Sequence, residues 1–326
     1  MQRIWSFVVY INKGRRDRPI FEEALMFQFQ IISDGPCDFT REEAADVQVG
    51  LVPPYITFDH ETYLKEGVDI STVDYFKRLS EDKNLRPKTA QPNPQDYIEA
   101  YTPFLQAGQD ILVLTISTNL SGSNSSAKMA AEMVKEEYPN RTIAIVDSQS
   151  VTIGEGLILR EVIRMRDAGL SLEEAVALTE KVRATTRAYF TLDTLDYLKR
   201  GGRVGPTTAL IGGILGMRPI LQVQDGAISQ LESVRGKKQA LALMEEAIVE
   251  TLSDVKDEIN ICVGHILNEE EAGAFKANAE AKLGVAIDTP LTLMSASVGT
   301  HAGPGVVGFA YCRKYDTLKS EKDVVA

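Results

Sequence analysis

Residues 111–137, ILVLTISTNLSGSNSSAKMAAEMVKEE, restrict the fold more than any other stretch of the chain. Ile111 to Ile116 is a short, largely β-branched apolar run, the pattern of a strand buried on both faces. A hydroxyl-rich loop follows, Ser117-Thr118-Asn119-Leu120-Ser121-Gly122-Ser123, and then a helix-period stretch with Ala127, Ala130, Ala131 and Val134 on one face. Strand, polar loop and helix in this order set a ligand site at the carboxyl edge of an α/β sheet. The first amides of such a helix lack partners and attract anions. Ser121 then has two readings: N-cap of the helix, or hydroxyl donor to a bound oxyanion.

The rest of the chain repeats the alternation. Phe27 to Ile32 reads as a strand running into the turn Ser33-Asp34-Gly35-Pro36-Cys37-Asp38, whose aspartates could bind a cation or cap the segment starting at Thr40. Val49 to Phe58 reads as one strand bent by Pro53-Pro54, and Ile70-Ser71-Thr72 as the start of a helix. Three prolines in Arg86–Pro94 predict a stiff, extended connector that fixes the Thr89 hydroxyl, followed by a helix over Gln95–Ala107. Thr142–Val146 is a further strand, Gly154 and Gly156 open a helix, and Ser171 with Glu174 forms a capping box.

A second unit opens at Ala188. Basic residues, then glycine, then proline end a helix in Lys199-Arg200-Gly201-Gly202-Arg203-Val204-Gly205-Pro206. That leaves Arg203 unexplained, either a fork for a carboxylate or phosphate or a domain-bridging ion pair. Residues 207–217 read as a small-residue apolar helix. Arg218–Val223 and Ile228–Val234 form a hairpin about Gln224-Asp225-Gly226-Ala227. Helices over Lys238–Leu252 and Glu269–Lys282 flank a strand at Ile259–His265. His301 falls in a glycine-rich loop, Ser297–Gly305, between two strands, and is either structural or a ligand contact.

Composition removes several classes. A net charge of −11 opposes nucleic acid binding. Three scattered cysteines (Cys37, Cys262, Cys312) suit a reducing cytosol, and three histidines without a CxxC pair give no metal site. No apolar run reaches the roughly 20 residues of a membrane span, so any membrane contact is transient. Residues 1–30 read as an extension, with Met26 as the expected native start, which an intact-mass measurement would check. There is no phosphate-loop or nucleophile-elbow motif, and no GxGxxG follows a strand in the first domain, so a dinucleotide site has little support. Thr89, Ser121, Arg203 and His301 all donate hydrogen bonds to negative groups, so the residues point to a small anion-headed ligand between two α/β domains. A hydrolase or transferase using Ser121 and His301 on an acyl or phosphoryl substrate is the second reading.

The segments IISDGPCDF, KTAQPNPQDY, ISTNLSGSNSSA, IVDSQSVTIGEG, LDTLDYLKRGGRVG, ILGMRPIL, DGAI with RGKKQAL, and THAGPGVVGFAY span about 31–316. In this order they resemble the DegV family, bacterial fatty acid-binding proteins that serve a fatty acid kinase. The resemblance implies two α/β domains, 31–187 with a mostly parallel sheet covered by helices and a smaller 188–316, followed by a tail over 317–326. A ligand tunnel would run at their junction. It implies a cytoplasmic, cofactor-free carrier, not an enzyme, enclosing one long-chain fatty acid. An ATP-dependent kinase would convert the bound acid to acyl phosphate for phospholipid metabolism. Thr89 and Ser121 match hydroxyl positions at the carboxylate, Arg203 and His301 match polar positions around it, and Ser117 is a weaker candidate in the same loop. Gly35-Pro36-Cys37, Ala90 and the Ser-Thr-Asn at 117–119 depart from the common pattern.

Overall fold

The computed structural model describes residues 27–82, 84–203 and 216–319. In chain order the elements are β1 (Phe29–Asp34), α1 (Arg41–Asp46), β2 (Val49–Val52), β3 (Tyr55–Thr57), β4 (Leu64–Lys65), α2 (Thr72–Glu81), β5 (Lys88–Ala90), α3 (Pro94–Gln106), β6 (Asp110–Thr115), α4 (Ser123–Val134), β7 (Ile143–Asp147), α5 (Ile153–Asp167) and α6 (Leu172–Thr185). Then come β8 (Arg187–Thr191), α7 (Asp196–Gly201), β9 (Met217–Gln224), β10 (Ala227–Arg235), α8 (Lys237–Leu252), β11 (Ile259–Ile266), α9 (Glu269–Leu283), β12 (Thr292–Leu293), α10 (Ala296–Ala302), β13 (Val306–Arg313) and α11 (Tyr315–Leu318).

Strands β2-β1-β6-β7 form a four-stranded sheet, parallel throughout. The apolar run 111–114 of β6 and the buried Phe29, Ile31 and Ile32 of β1 follow from burial on both faces, because successive side chains point to opposite sides. Phe29, Ile31, Leu112 and Leu114 pack toward Leu157, Ile158 and Val162 of α5 and Ala175 and Val182 of α6. Ile32, Ile111 and Val113 pack toward Tyr97, Tyr101 and Leu105 of α3 and Ala127, Ala130 and Val134 of α4. The chain turns to β2 on one side of β1 and later to β6 on the other, so a topological switch point lies between the carboxyl ends of β1 and β6.

The second sheet has six strands in the order β10-β9-β8-β13-β11-β12, antiparallel except for the β11–β12 pair. Its outer face carries α8 and α9, with Met244, Ile248, Phe275 and Ala279 packed on Val263, Val307 and Phe309. A small antiparallel sheet, β4-β3-β5, stands beside the switch point. The expected mixed α/β architecture, with a parallel sheet covered by helices, is the one found.

Several local readings differ. Val49–Phe58 is two strands in two sheets, because Pro53 and Pro54 lack amide donors and end β2. The stiff segment around Thr89 is itself strand β5, with Thr89 opposite Ile56. Asp34 and Asp38 do not cap α1; Thr40 does, in a capping box with Glu43. The segment expected as a glycine-rich loop at Ser297–Gly305 is mostly helix α10. At the termini, β1 begins at Phe29, and α11 brings Leu318 into the core. The small-residue helix expected at 207–217 and the extension up to Met26 lie outside the described residues, save for Gly216 and Met217.

Leu112 is fully buried at the centre of the parallel sheet. Leu112→Ala is expected to cost about 2–5 kcal/mol of unfolding free energy, read from urea denaturation monitored by circular dichroism.

Candidate functional site

A cavity of about 340 Å³ opens beside the switch point, within the size range of small-molecule sites. Pro36 and Ile116 line it from the ends of β1 and β6. Ala188, Phe190, Val223, Ile228, Val306 and Gly308 contribute the inner face of the mixed sheet, and Val151, Ile153, Leu198 and Met294 add further apolar wall. Thr89, Gln91, Ser121, Arg203, Ser297 and His301 also line it. Four of the five candidate residues therefore share one cavity. The fifth, Ser117, is not among the lining residues; it is fully buried and donates its hydroxyl to the Gly226 carbonyl at 2.7 Å.

Two of the polar side chains are bonded to each other, and Arg203 and Ser121 are held by backbone groups. Thr89 Oγ1 and His301 Nε2 are 2.8 Å apart. Arg203 follows the left-handed Gly202 that ends α7, and its Nη1 donates to the Gly201 carbonyl at 2.6 Å. Its Nε reaches across to the Leu120 carbonyl at 3.2 Å. The bridging role expected as an alternative for Arg203 is thus present, made to carbonyls instead of to an acid. Ser121 does not cap α4: Gly122 occupies that position, and Ser121 Oγ accepts from the Ser123 amide at 3.2 Å. A donor O–H remains on Ser121.

Two glycines permit this convergence. A Cβ on Gly201 would fall 2.1 Å from His301 Nδ1, so only glycine lets the end of α7 close on the imidazole. A Cβ on Gly122 would meet the Gln91 amide at 2.2–2.6 Å. Gln91 went unnoticed in the sequence, although its place two residues past Thr89 was visible.

Helix α10 carries Ser297, Val298, His301 and Ala302 to the cavity, and distant side chains hold it in place. Asp38 accepts from the Ser295 amide at 2.8 Å, and Glu66 accepts from the amides of Ala296 and Ser297. Thr300 Oγ1 donates to the Ala296 carbonyl, which leaves the Tyr75 hydroxyl to donate to Thr300 at 2.8 Å. Burial pushes the carboxyls of Asp38 and Glu66 above the ordinary range.

A second buried acid pair sits at the switch point. Asp34 accepts from the Ile116 amide at 3.0 Å and faces Glu155 of α5. Oδ2 of Asp34 and Oε2 of Glu155 meet no N–H or O–H donor among the described residues. Burial raises both carboxyls, and the charge of Asp34 raises Glu155 further.

Burial, reinforced by the positive charge of Arg203, lowers His301 to about 4. At neutral pH the ring is uncharged and the cluster carries the single positive charge of Arg203. His301 Nε2 pairs with Thr89, and its Nδ1 has no hydrogen-bond partner among the described residues. Neither nitrogen is bonded to Ser121 or oriented by an acid, as a serine nucleophile with a histidine base requires. Among the described residues no group of histidine, cysteine and acidic side chains is placed to hold a metal, and no helix is long and apolar enough to cross a membrane.

A largely apolar cavity with one cluster of hydrogen-bond donors, set between two α/β sheets, defines a small-molecule-binding α/β protein. A family model described as "Uncharacterised protein, DegV family" matches residues 28–314. A DegV domain-containing protein of Deinococcus radiodurans is 33% identical over 285 residues, 86% of this chain and 96% of that one. A stearic acid-binding protein of Eubacterium ventriosum superposes with a TM-score of 0.84 at 32% identity, covering 89% of this chain and 99% of that one. A DegV family protein of Thermus thermophilus described by its fatty acid binding superposes at 0.78 with 27% identity, over 87% and 99% of the two chains. The chain belongs to the DegV family.

Two measurements test these electrostatics. In a ligand-free NMR titration the His301 ring is expected to stay neutral until about pH 4, and Arg203→Ala to move its midpoint upward. Glu155 binds a proton more tightly folded than unfolded, so its stability contribution is complete below its ordinary value of 4.5 and is lost as pH rises through the elevated folded value. Glu155→Gln is expected to flatten that decline in urea unfolding between pH 5 and 9, with the larger gain at the alkaline end.

Proposed function

We propose that this protein encloses one long-chain fatty acid and presents its carboxylate to an ATP-dependent fatty acid kinase, which forms the acyl phosphate. The observation that carries the reading is the division of the cavity. Thr89, Ser121, Arg203 and His301 cluster together, whereas the remaining lining is mostly aliphatic. The E. ventriosum and T. thermophilus proteins, described as stearic acid- and fatty acid-binding, support the same class of ligand.

The energetics divide the labour between the two regions. A chain of about 16 carbons gains on the order of 12 kcal/mol on leaving water, at roughly 0.8 kcal/mol per CH₂. Much of that is offset by immobilisation, yet the apolar wall alone accounts for retention. The donors then orient the head group. Hydroxyls of Thr89 and Ser121 and the free N–H groups of Arg203 offer charge-assisted bonds to a carboxylate. With His301 neutral, one guanidinium charge matches one carboxylate charge. In this role the carrier does no bond chemistry; it fixes the geometry that phosphoryl transfer requires.

Native mass spectrometry of the protein purified from cells is expected to show a co-purifying fatty acid, identified after solvent extraction. Ser121→Ala and Arg203→Ala are expected to lower acyl phosphate formation in a coupled kinase assay at least tenfold, while fatty acid retention falls by less than about threefold, since an orienting hydrogen bond is worth about 1.4 kcal/mol. Equal losses in the two assays would remove the orienting role. An empty protein that turns over ester substrates would replace the carrier reading with the hydrolase.

A further inference from the structure

The hydroxyl of Ser117 joins two parts of the cavity wall that are 109 residues apart in sequence. On one side is the loop after β6. The Ser117 amide donates to the Ser150 carbonyl, and its own carbonyl accepts from the amides of Leu120 and Ser121, so it sets the path of the loop that carries Ser121. On the other side is the β9–β10 turn. Asp225 and Gly226 adopt φ of 51° and 80°, a tight two-residue turn. Ser117 Oγ donates to the Gly226 carbonyl and accepts from the Asn119 amide. A Cβ on Gly226 would meet Ser117 Oγ at 2.7 Å and Asn119 Nδ2 at 3.0 Å, so the turn is seated directly on the loop.

The strand behind this turn is weakly held. Among the described residues β10 is the edge strand of its sheet, bonded on one side only. Its register with β9 breaks between Gln230 and Glu232, a bulge that leaves Leu231 half exposed; bulges of this kind bend an edge strand and interrupt its ladder. Val223, just before the turn, is held by its pairing with Ala188 of β8. Its partner across the hairpin, Ile228, lines the cavity and, among the described residues, has no strand on its other side. Asp225 and Ala227 are exposed while Ile228 beside them lines the cavity, so among the described residues this hairpin separates the cavity from solvent. Lifting the turn about the bulge would carry Ile228 away and open the apolar wall.

We propose that the β9–β10 turn is a flap over the cavity, and that Ser117 is the positioning residue that latches it and thereby sets the rate of ligand exchange. The proposal rests on the acyl-binding reading. It gives Ser117 a task separate from contact with the head group.

The test is stopped-flow exchange of a fluorescent long-chain fatty acid with the full chain. A latch acts on passage in both directions. Ser117→Ala is therefore expected to raise the association and dissociation rates together, each about tenfold, the equivalent of one neutral hydrogen bond, with Kd changed by less than about threefold. Amide hydrogen exchange over 225–230 is expected to rise in the same variant. Gly226→Ala, which unseats the turn from the other side, is expected to give the same signature. The double variant should be no faster than either alone, because both remove one contact. Unchanged exchange rates in both variants would overturn the latch. So would a Ser117→Ala variant in which only dissociation rises and Kd weakens in step, the mark of a direct ligand contact. A wild-type protein that takes up no acyl probe would overturn the acyl reading itself, and the latch with it.

Discussion

Helix α10 is too short to stand alone. Seven residues do not repay the nucleation of a helix in water, and two of them, Gly299 and His301, are poor helix formers. What makes it a helix is a set of side chains more than 200 residues away. Glu66 and Asp38 supply acceptors for the amides at its start, where the helix dipole favours negative charge. Tyr75 and Thr89 then fasten Thr300 and His301. The imidazole is thus located by contacts from the amino-terminal half of the chain, and the cavity has no fixed polar wall until both halves have folded.

This tether also explains the electrostatic character of the site. His301 is surrounded by protein and lies near a guanidinium, and either condition alone favours the neutral ring. Arg203 in turn is held by carbonyls of Gly201 and Leu120. Carbonyl acceptors fix the planar fork without neutralising it, whereas a carboxylate partner would cancel the charge before a ligand arrived. For the proposed monoanionic head group the result is a site of one positive charge, several neutral donors and little reorganisation on binding.

Where one segment makes its own structure, the sequence displayed it. The β6–loop–α4 unit, the capping box at Ser171 and Glu174, and the hairpin about Asp225 and Gly226 all follow from periodicity, hydrogen-bonding side chains or positive φ within a few residues. What the sequence hid depends on partners far along the chain. Ser297–Gly305 has the composition of a loop because the groups that make it helical are Asp38 and Glu66. Asp34 and Asp38 have the look of helix caps because their actual acceptor tasks, toward Ile116 and Ser295, are tertiary. Ser117 and Ser121 are both serines in one polar loop, and nothing local says that one faces the cavity and the other a hairpin. The membership of Thr89, Ser121, Arg203 and His301 in one cavity was legible only through the family resemblance, since no spacing relates residues on β5, a loop, a helix end and α10.

A shared apolar core, in which Leu157 and Val162 pack with Cys262, Val306 and Ala310, joins the halves of the molecule, and polar bonds add to it around the cavity. Asp38 to Ser295, Thr89 to His301, Leu120 to Arg203 and Ser117 to Gly226 each join the parallel-sheet half to the mixed-sheet half. A neutral hydrogen bond of this kind contributes about 0.5–1.5 kcal/mol, and the acceptor and donor can exchange it for water at little net cost once exposed. The core shared by the two sheets, by contrast, loses transfer free energy for every side chain uncovered. The polar bonds at the cavity rim are therefore cheaper to break than the core beneath them. A ligand that fills the cavity adds its own buried surface between the two sheets. It stabilises the form that binds it by an amount that grows with the logarithm of its concentration relative to Kd, and in the proposed role the apolar wall carries retention while the polar bonds set the head-group geometry.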